Sequence, residues 1–507
     1  MTCAPPRGEH VTEQRDDHDG ERSGERGQAE VPAAHERGTG TDQHTERSEG
    51  EHARGHGSAV LTAVQHAGAC RAEQQQRDPY GLTEDPSHVH LHASAREAMP
   101  AGVAPARTYP PAMRVLMLSW EFPPRLVGGL GRHVDALTRS LVAAGHEVHV
   151  VSRAHPDAPA EERHGALHVI RVDASPPLVP FDDLVPWVLA FNTSVLAAAT
   201  RVLHAHPVDV VHAHDWLVAS AAVSVAETFD LPLVATVHAT EYGRHQGHLP
   251  GPMNRLIHGI EGWFVEHADR TLVCSTYMHE QVRTLFGVPE HLLTTIPNGV
   301  AVDEMEPPTE EVRALRRTLA DDDTHLVLFA GRLEYEKGVQ TVLHALERLA
   351  DRVGAVRFLI AGVGTYSDEL RRLVDDLGLG HRVHFTGFLE ERALRLHYAA
   401  ADVAVAPSLY EPFGLVATEA MACGTPVVVS DTGGLREIVV DGTGLTFPPQ
   451  DAEQLAERIA EVLADRELAA RLVARGRERI RERYDWADVA RRTVEAYAVT
   501  LDARRAA

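Results

Sequence analysis

The chain of 507 residues has 49 basic side chains, and only one of them, Lys337, is a lysine. It belongs to the segment GRLEYEKG, residues 331–338, which follows a short apolar run. Arginine binds phosphate oxygens as a planar fork and lysine supplies a compact charge. Arg332 and Lys337 together therefore suit a diphosphate group. The alternative is an exposed salt bridge of Lys337 with Glu334 or Glu336, which contributes only about 0–1 kcal/mol and has no function.

A second candidate segment is EPFGLVATE, residues 411–419. Pro412 suits the first turn of a helix, and the opening N–H groups of a helix have no partner within it. Free N–H groups are therefore expected on Gly414, Leu415 and Val416. Glu411 and Glu419 could line one side of a ligand, either as acid and base of a hydrolase or as acceptors for sugar and ribose hydroxyls. A water-facing Glu419 is the alternative, but its apolar neighbours indicate a largely buried helix.

Two adjacent glycines, Gly128 and Gly129, lie between the first apolar run and an amphipathic stretch. Glycines let the backbone approach a ligand, and N–H groups at a helix start favour an anion. A tight strand-to-helix turn without function is an equally simple interpretation. A dinucleotide site is not indicated, because the GxGxxG spacing is absent and the second strand ends in Ser152-Arg153 without an acid.

Histidines and acids follow two further apolar runs: His212, His214 and Asp215 after one, and His238, Glu241, His245 and His248 after the other. This grouping raises the question of a metal site. The spacing is not HExxH and no cysteine joins it. We therefore expect no metal here and no metal cofactor in the reaction.

The elements that position these residues are short apolar runs that alternate with amphipathic helices. This pattern predicts two mostly parallel α/β sheets, each covered by helices on both faces. Ligands of such doubly wound domains bind at the carboxyl ends of the strands, where the candidate residues lie. The predicted organisation is a first domain over 113–297 with a C-terminal helix over 484–503, a connection over 298–323, and a second domain over 324–483.

Residues 1–112 differ in composition from the rest of the chain. They contain no Ile, Phe or Trp, and Tyr80 and Tyr109 are their only aromatic residues. Ordering each residue costs about 1–2 kcal/mol of backbone entropy, which so little apolar surface does not offset. A disordered tail is predicted, and a translation start at Met113 is a further hypothesis.

Charge and composition exclude several classes of protein. The formal net charge of −24 argues against nucleic-acid binding, and the four dispersed cysteines indicate neither a disulfide framework nor a zinc ribbon. No secretory or membrane-spanning apolar run is evident. The sequence predicts a cytoplasmic protein and does not indicate its oligomeric state.

The motifs together resemble the retaining nucleotide-sugar glycosyltransferases of family four, which have the GT-B fold of two Rossmann-like domains facing a cleft. The resemblance spans essentially all of 113–503. Its most specific part is the pair of glutamates at 411 and 419, separated by seven residues, combined with the arginine and lysine. The other motifs that carry it are Gly128-Gly129, Gly331-Arg332, Lys337-Gly338 and Thr432-Gly433-Gly434.

The first domain is similar to that of glycogen and starch synthases. The matching segments are Trp120-Glu121, His212-Ala213-His214-Asp215-Trp216 and Thr236-Val237-His238. One position differs: the synthases have a lysine two residues before the paired glycines, whereas this chain has Leu126, preceded by Arg125.

The resemblance implies a role for each candidate residue. Arg332 and Lys337 would bind the diphosphate, Glu411 the hydroxyls of the transferred sugar, and Glu419 the ribose. His238 would lie beside the reacting anomeric carbon. The acceptor side would be lined by His214, Asp215 and Glu241, and the donor site completed by Gly128, Gly129, Gly414, Leu415 and Val416.

The expected reaction is transfer of a hexose, glucose by this resemblance, from a nucleoside-diphosphate sugar to an acceptor hydroxyl, with an α-glucan as one candidate acceptor. Alternatives are a mannosyl- or glucosyltransferase acting on a small molecule or lipid, and a glucan-binding protein without activity. A pyridoxal-phosphate phosphorylase would need a Schiff-base lysine, and the only lysine is already assigned to the diphosphate. The sequence does not specify the nucleoside base or the sugar of the donor.

Overall fold

The structure is a computed structural model that describes residues 112–174, 184–302 and 305–506. The predicted tail over 1–112 thus lies outside the described residues, apart from Ala112. The described chain forms two α/β domains, each built on its own sheet.

The first domain has eight strands. They are β1 (Arg114–Leu118), β2 (Glu147–Arg153), β3 (Glu161–His164), β4 (Leu167–Val172), β5 (Val210–His214), β6 (Leu233–Val237), β7 (Arg270–Val273) and β8 (Leu293–Thr295). Their order is β3-β4-β2-β1-β5-β6-β7-β8. All neighbours are parallel except β3, which runs antiparallel to β4. The predicted parallel sheet is present, with one antiparallel edge strand that the polar sequence of β3 did not indicate.

Helices cover both faces of this sheet. They are α1 (Gly129–Ala143), α2 (Leu184–Ala205), α3 (Ala219–Thr228), α4 (Glu241–Arg244), α5 (Pro252–Glu266) and α6 (Thr276–Phe286). Among the described residues, α2 is long and apolar enough to cross a membrane by length and composition. Trp187, Phe191 and Val195 on its buried face belong to an apolar cluster with the sheet, as in a core helix.

The second domain has six strands, all parallel, in the order β11-β10-β9-β12-β13-β14. They are β9 (His325–Ala330), β10 (Val356–Ala361), β11 (Val383–Gly387), β12 (Val403–Ala406), β13 (Val427–Ser430) and β14 (Leu445–Phe447). Its helices are α7 (Thr309–Leu319), α8 (Val339–Val353), α9 (Ser367–Asp376), α10 (Glu391–Ala400), α11 (Leu415–Cys423), α12 (Leu435–Ile438), α13 (Ala452–Ala464) and α14 (Arg466–Arg483).

The stretch predicted as an interdomain connection, 298–323, contains α7. This helix lies against the second domain, where Arg316 donates to the carbonyl of Ala400 and to the carboxylate of Asp402. The last strand of the first sheet ends at Thr295 and the first strand of the second begins at His325. The predicted domain limits thus fall between the two sheets.

The last helix, α15 (Trp486–Ala506), returns to the first domain. Val489, Val494 and Tyr497 are buried in one apolar cluster with β1 and α1. The Tyr497 hydroxyl also lies 2.6 Å from Nδ1 of His212 at the centre of the first sheet. The first domain is therefore built from both ends of the folded chain.

An apolar cluster also joins the two domains beneath the candidate cleft. Met278 of the first domain is buried in the same cluster as Tyr410, Phe413 and Leu435 of the second. The Tyr410 ring occupies the space beside Gly243, where a Cβ would lie 2.3 Å from the ring. The strand ends of the two sheets are consequently held facing one another.

Candidate functional site

The candidate residues meet where the carboxyl ends of the two sheets face each other. In each sheet they lie at the ends of strands at or beside the point where the strand order reverses: β1, β5 and β6 in the first sheet, and β9 and β12 in the second. Loops diverge at such a point and leave a crevice, the usual ligand position in open α/β sheets. The fold therefore places both halves of the predicted site at one cleft.

Lys337 is held against Glu411. The segment after β9 forms a short 3₁₀ turn, Tyr335–Lys337, and Gly338 follows at a φ of 72°. A Cβ at Gly338 would lie 1.9 Å from the carbonyl oxygen of Pro407, so glycine permits this close approach to the segment after β12. As a result, Nζ of Lys337 donates to Oε2 of Glu411 at 2.8 Å. Both side chains are less than one-fifth exposed.

The other two acids of this segment have different partners. Glu336 lies 3.5 Å from the Arg332 guanidinium, and Glu334 accepts hydrogen bonds from Thr365. The alternative that Lys337 forms a salt bridge with Glu334 or Glu336 is therefore wrong, because its partner is Glu411. Arg332 is the more accessible cation, 37% exposed, and the nearest atoms to a Cβ built on Gly128 across the cleft would be those of Arg332, at 3.8 Å.

Helix α11 begins at Leu415, with Gly414 as its N-cap at a φ of 121°. Pro412 thus lies before the helix and not in its first turn, which corrects the sequence-based expectation. The Pro412 carbonyl accepts instead from the Ser275 hydroxyl of the first domain at 2.6 Å. The N–H groups of Leu415 and Val416 nevertheless open the helix, where they favour an anion.

Glu419 does not face water, since its two oxygens accept from different groups. Oε1 accepts from Arg132 of the first domain at 2.9 Å, and Oε2 accepts from the Tyr398 hydroxyl at 3.2 Å. The sequence analysis missed Arg132. A cation in the first turn of a helix opposes the helix dipole, and this local conflict is a signal that could have identified it.

The loop before α1 is organised by Glu121, which is buried. Its Oε2 accepts from the N–H groups of Val127 and Gly128, at 2.9 and 3.0 Å. The N–H of Gly128 is therefore committed, contrary to the expectation that it would be free for an anion. Burial raises the pKa of Glu121.

The start of α1 approaches the start of α11 closely. A Cβ at Gly129 would lie 2.8 Å from Cδ1 of Leu415. The absence of a side chain at Gly129 therefore brings the two helix starts together across the cleft.

Three histidine rings cluster on the first-domain wall. Nδ1 of His214 lies 3.0 Å from Nε2 of His238, and the His133 ring centroid lies 4.7 Å from that of His238. Burial lowers the pKa of His238 to about 3 and the pKa of the other two well below the ordinary value, so all three are neutral at pH 7. Their sequence positions gave no sign that His133 belongs with the other two.

These three rings lie close enough for one metal ion to reach them, with ligand atoms within 4.8 Å of one another. His214 is committed on both nitrogens, since its Nε2 lies 2.9 Å from Sδ of Met117. Nδ1 of His133 likewise lies 2.8 Å from Oδ1 of Asn298. The prediction of metal-independent chemistry in the cleft stays a prediction.

The acids expected on the acceptor side lie around Arg244. Oδ1 of Asp215 accepts from the N–H of His238 at 2.7 Å, and burial raises the pKa of Asp215 to about 6. Glu241 accepts from Asn254 and lies 4.0 Å from Arg244. Both acids therefore have protein partners on the cleft wall.

Glu261 was not predicted. It accepts the N–H of Glu241 on both oxygens, and burial raises its pKa to about 8. At pH 7 it is therefore largely protonated, although Arg244 lies nearby and opposes this shift.

A cavity of about 440 Å³ opens between the domains beside Arg332. Arg244, His245 and His248 line it from the first domain, and Tyr335 and Tyr366 line it from the second. The two tyrosine rings lie edge to face with centroids 5.6 Å apart. This volume falls within the range of small-molecule sites.

Two doubly wound domains that face one cleft, with Arg332, Lys337 and a helix start on one wall, are the arrangement expected of a nucleotide-sugar glycosyltransferase of the GT-B fold. Residues 127–304 match the family described as Glycosyltransferase Family 4, and residues 313–479 match Glycosyl transferases group 1. The chain belongs to this glycosyltransferase family and is a hexosyltransferase similar to glycogen synthase.

Proteins of named activity are similar to this chain over the same residues. The glycogen synthase of Mycobacterium tuberculosis (strain CDC 1551 / Oshkosh) is 40% identical over 404 residues, which cover 76% of this chain and 94% of that protein. A D-inositol 3-phosphate glycosyltransferase of Xylanimonas cellulosilytica is 35% identical over 396 residues, covering 75% and 93%. Among solved structures, a sucrose-phosphate synthase from Thermosynechococcus elongatus has a TM-score of 0.68 at 29% identity and covers 77% of this chain and 100% of that one.

Proposed function

We propose that this enzyme extends an α-glucan by moving glucose from a nucleoside-diphosphate glucose to a sugar hydroxyl, with retention at the anomeric carbon. The observation that carries the proposal is the Lys337–Glu411 pair beside Arg332, which joins a diphosphate-binding cation to a carboxylate suited to sugar hydroxyls. The similarity to glycogen synthase supports glucan as the acceptor.

The chemical step follows from where charge develops. As the sugar–phosphate bond breaks, the leaving diphosphate gains negative charge, which Arg332, Lys337 and the N–H groups at the start of α11 can stabilise. These groups supply the electrophilic help that a metal ion would otherwise give. The departing phosphate oxygen takes the acceptor proton, so no separate base is required.

The contacts of the two cleft walls support the roles that we propose for them. His238, neutral and packed on His214, presents an uncharged ring near the transferred sugar. The open cavity lined by Tyr335 and Tyr366 supplies room for an acceptor chain, since exposed aromatic faces suit the apolar faces of sugars.

Glu419 requires a rearrangement to bind the donor ribose. Both of its oxygens accept from protein groups, Arg132 and Tyr398. We propose that a ribose hydroxyl joins or replaces the Arg132 contact when the donor enters.

A cytoplasmic location of the enzyme stays a prediction.

The decisive experiment measures transfer by the purified full chain. UDP-, ADP- and GDP-glucose are each incubated with glycogen or maltooligosaccharide, with and without EDTA. We expect one donor to support chain extension in EDTA, with an α-configured product by proton NMR. Thermal stabilisation by the three nucleoside diphosphates should rank them in the same order, because a bound ligand stabilises the fold by mass action.

Two results would contradict the proposal. Transfer to myo-inositol phosphate or to a lipid acceptor, with none to glucan, would overturn the acceptor. Loss of all transfer in EDTA while the protein stays folded by circular dichroism, restored by a divalent cation, would overturn the metal-independent step. The Lys337→Ala variant is the negative control for both assays.

A further inference from the structure

A second group of side chains that could bind a metal ion lies at the amino ends of two strands of the first sheet, away from the cleft. Glu147 and His149 are on β2, His168 is on β4, and His206 directly follows α2. In a parallel sheet the covering helix runs back to the starts of the strands, so these three elements converge away from the carboxyl ends that form the cleft. The cluster is therefore separate from the glycosyltransferase site.

The sheet register brings the strand residues together. His149 and His168 are direct neighbours across the parallel pair of β2 and β4, and their ring centroids lie 5.4 Å apart. Alternation along β2 puts Glu147 on the same face as His149. The His206 ring lies 4.8 Å from that of His149.

His149 is the observation that points to a ligand. It is fully buried, yet in the described part of the chain its Nδ1 has no hydrogen-bond partner, and its Nε2 has only the Glu147 carboxylate, at 3.2 Å. Nδ1 of His168 is likewise buried and without a hydrogen-bond partner in the described chain. Unpaired buried polar atoms are costly and call for an explanation, of which a bound ion is one.

The distances fit one ion. One ligand atom from each of Glu147, His149 and His206 lies within 4.8 Å of the other two. Nε2 of His149 is already 3.2 Å from Oε1 of Glu147. Two imidazoles and one carboxylate form a donor set that binds borderline divalent ions such as Zn²⁺ at about 2.0–2.2 Å.

The surrounding charges are mixed. The carbonyl end of α2, at Ala205, carries partial negative charge that favours a cation. Arg163 lies 3.9 Å from the Glu147 carboxylate and would compete, but its side chain is 57% exposed and free to turn away. Glu161 lies 4.0 Å from Nε2 of His168 and adds negative charge beside the group.

We propose that Glu147, His149 and His206 bind a Zn²⁺-like divalent cation, with His168 as an adjacent third imidazole. The ion would fasten the end of α2 to the edge strands of the first sheet. Its role is structural, because the site lies at the starts of the strands and the cleft lies at their carboxyl ends. It is independent of the metal-free transfer proposed above.

The test is a Zn²⁺ titration of the full chain against a chromophoric chelator. The matched variants are His206→Gln and Glu147→Gln, and the control is His204→Gln, which removes an exposed histidine two residues away on α2. The segment 1–112 contains ten histidines and can bind Zn²⁺ itself, so the comparison among variants carries the result.

We expect the parent chain and His204→Gln to bind one tight equivalent that both ligand variants lose. In these two variants the Zn²⁺ affinity should fall by more than about 100-fold. Losing a group that only orients a metal ligand costs about 10- to 100-fold. Thermal midpoints should rise with Zn²⁺ in the first pair alone, while all four proteins match in EDTA. Equal titrations of His206→Gln and His204→Gln would overturn the proposal, as would a tetrahedral Co²⁺ absorption band that survives in Glu147→Gln and His206→Gln.

Discussion

Nζ of Lys337 donates to Oε2 of Glu411 at 2.8 Å, which joins the only lysine of the chain to a glutamate 74 positions later. The pair exists because β9 and β12 are neighbours, so the segments that follow them leave the sheet side by side. The Ser408 hydroxyl donates to the same oxygen at 3.1 Å and fixes its position. A cation and a carboxylate are thereby presented together to one ligand.

The first prediction concerns the need for an ammonium group at position 337. Lys337→Arg keeps the charge, but the planar guanidinium would bind Glu411 with two prongs and be drawn from the diphosphate. We expect kcat/KM for the donor to fall at least about tenfold, and in Lys337→Ala by about 10²–10³-fold, as when a charge-stabilising donor is removed. Unchanged turnover in Lys337→Arg would show that charge alone suffices. The control is the reverse exchange at an exposed site, Arg317→Lys.

Glu411→Ala should separate sugar transfer from nucleotide binding. The substitution removes the acceptor for sugar hydroxyls and frees the Lys337 ammonium, so nucleoside-diphosphate affinity should be kept or increased while kcat falls. Calorimetry with the nucleoside diphosphate and steady-state transfer assays measure the two effects. The control is Glu334→Ala, since Glu334 bonds Thr365 and not Lys337. Equal losses of binding and transfer would refute the assigned role.

Closure of the cleft should depend on Gly129. A methyl group there would lie 2.8 Å from Leu415, whereas one at Gly128 would meet Arg332 at an ordinary 3.8 Å. Overpacking costs about 1–3 kcal/mol, and the end of the Leu415 side chain can turn away from the new methyl group, so Gly129→Ala should raise the donor KM by about fivefold. Gly128→Ala is the matched control and should change it little. The same KM in both variants would contradict a close approach of the two helix starts.

Glu261 should make stability depend on pH. Burial raises its pKa to about 8 from an ordinary value near 4.5, so the folded state binds the extra proton between those values. Its contribution is fully present below about pH 4.5 and is lost as pH rises toward 8. We expect the free energy of unfolding of the parent to decline relative to Glu261→Gln across this window. Denaturant titrations at several pH values measure it, with Glu266→Gln, exposed at the end of the same helix, as the control.

A parallel decline in Glu261→Gln and the parent would show that Glu261 is ionised in the folded protein. The buried histidines act with the opposite sign, since a lowered pKa costs stability as pH falls below about 6.5. Subtracting the variant from the parent removes that shared contribution.

Most of the fold could be predicted because the strands that form the centre of each sheet are continuous apolar runs. The apolar runs at 167–172, 403–406 and 427–430 predict strands with the same bounds as β4, β12 and β13. By contrast, β3, β8 and β14 were missed: they are edge strands of three or four residues, too short for a periodic pattern to show.

Each sequence motif predicts the functional residues of its own loop, but not which residues of other loops they contact in the cleft. Lys337 and Glu411 were identified from type and spacing, but their contact depends on strand order. Arg132 was missed because its partner, Glu419, is 287 positions away and in the other domain. Glu121 and His133 were missed as site residues for a related reason. Their roles depend on burial and on contacts with residues of other elements, which the local sequence does not show.

The return of α15 to the first domain has a consequence for biosynthesis. Val489, Val494 and Tyr497 complete the apolar layer over β1 and α1, and they are translated after the entire second domain. While the ribosome is still making that domain, the first one exposes an uncovered apolar groove and lacks Tyr497, one of the two hydrogen-bond partners of His212. Domains generally fold as units during synthesis, but here the half translated first is completed last, and a chaperone would find its binding surface on that groove.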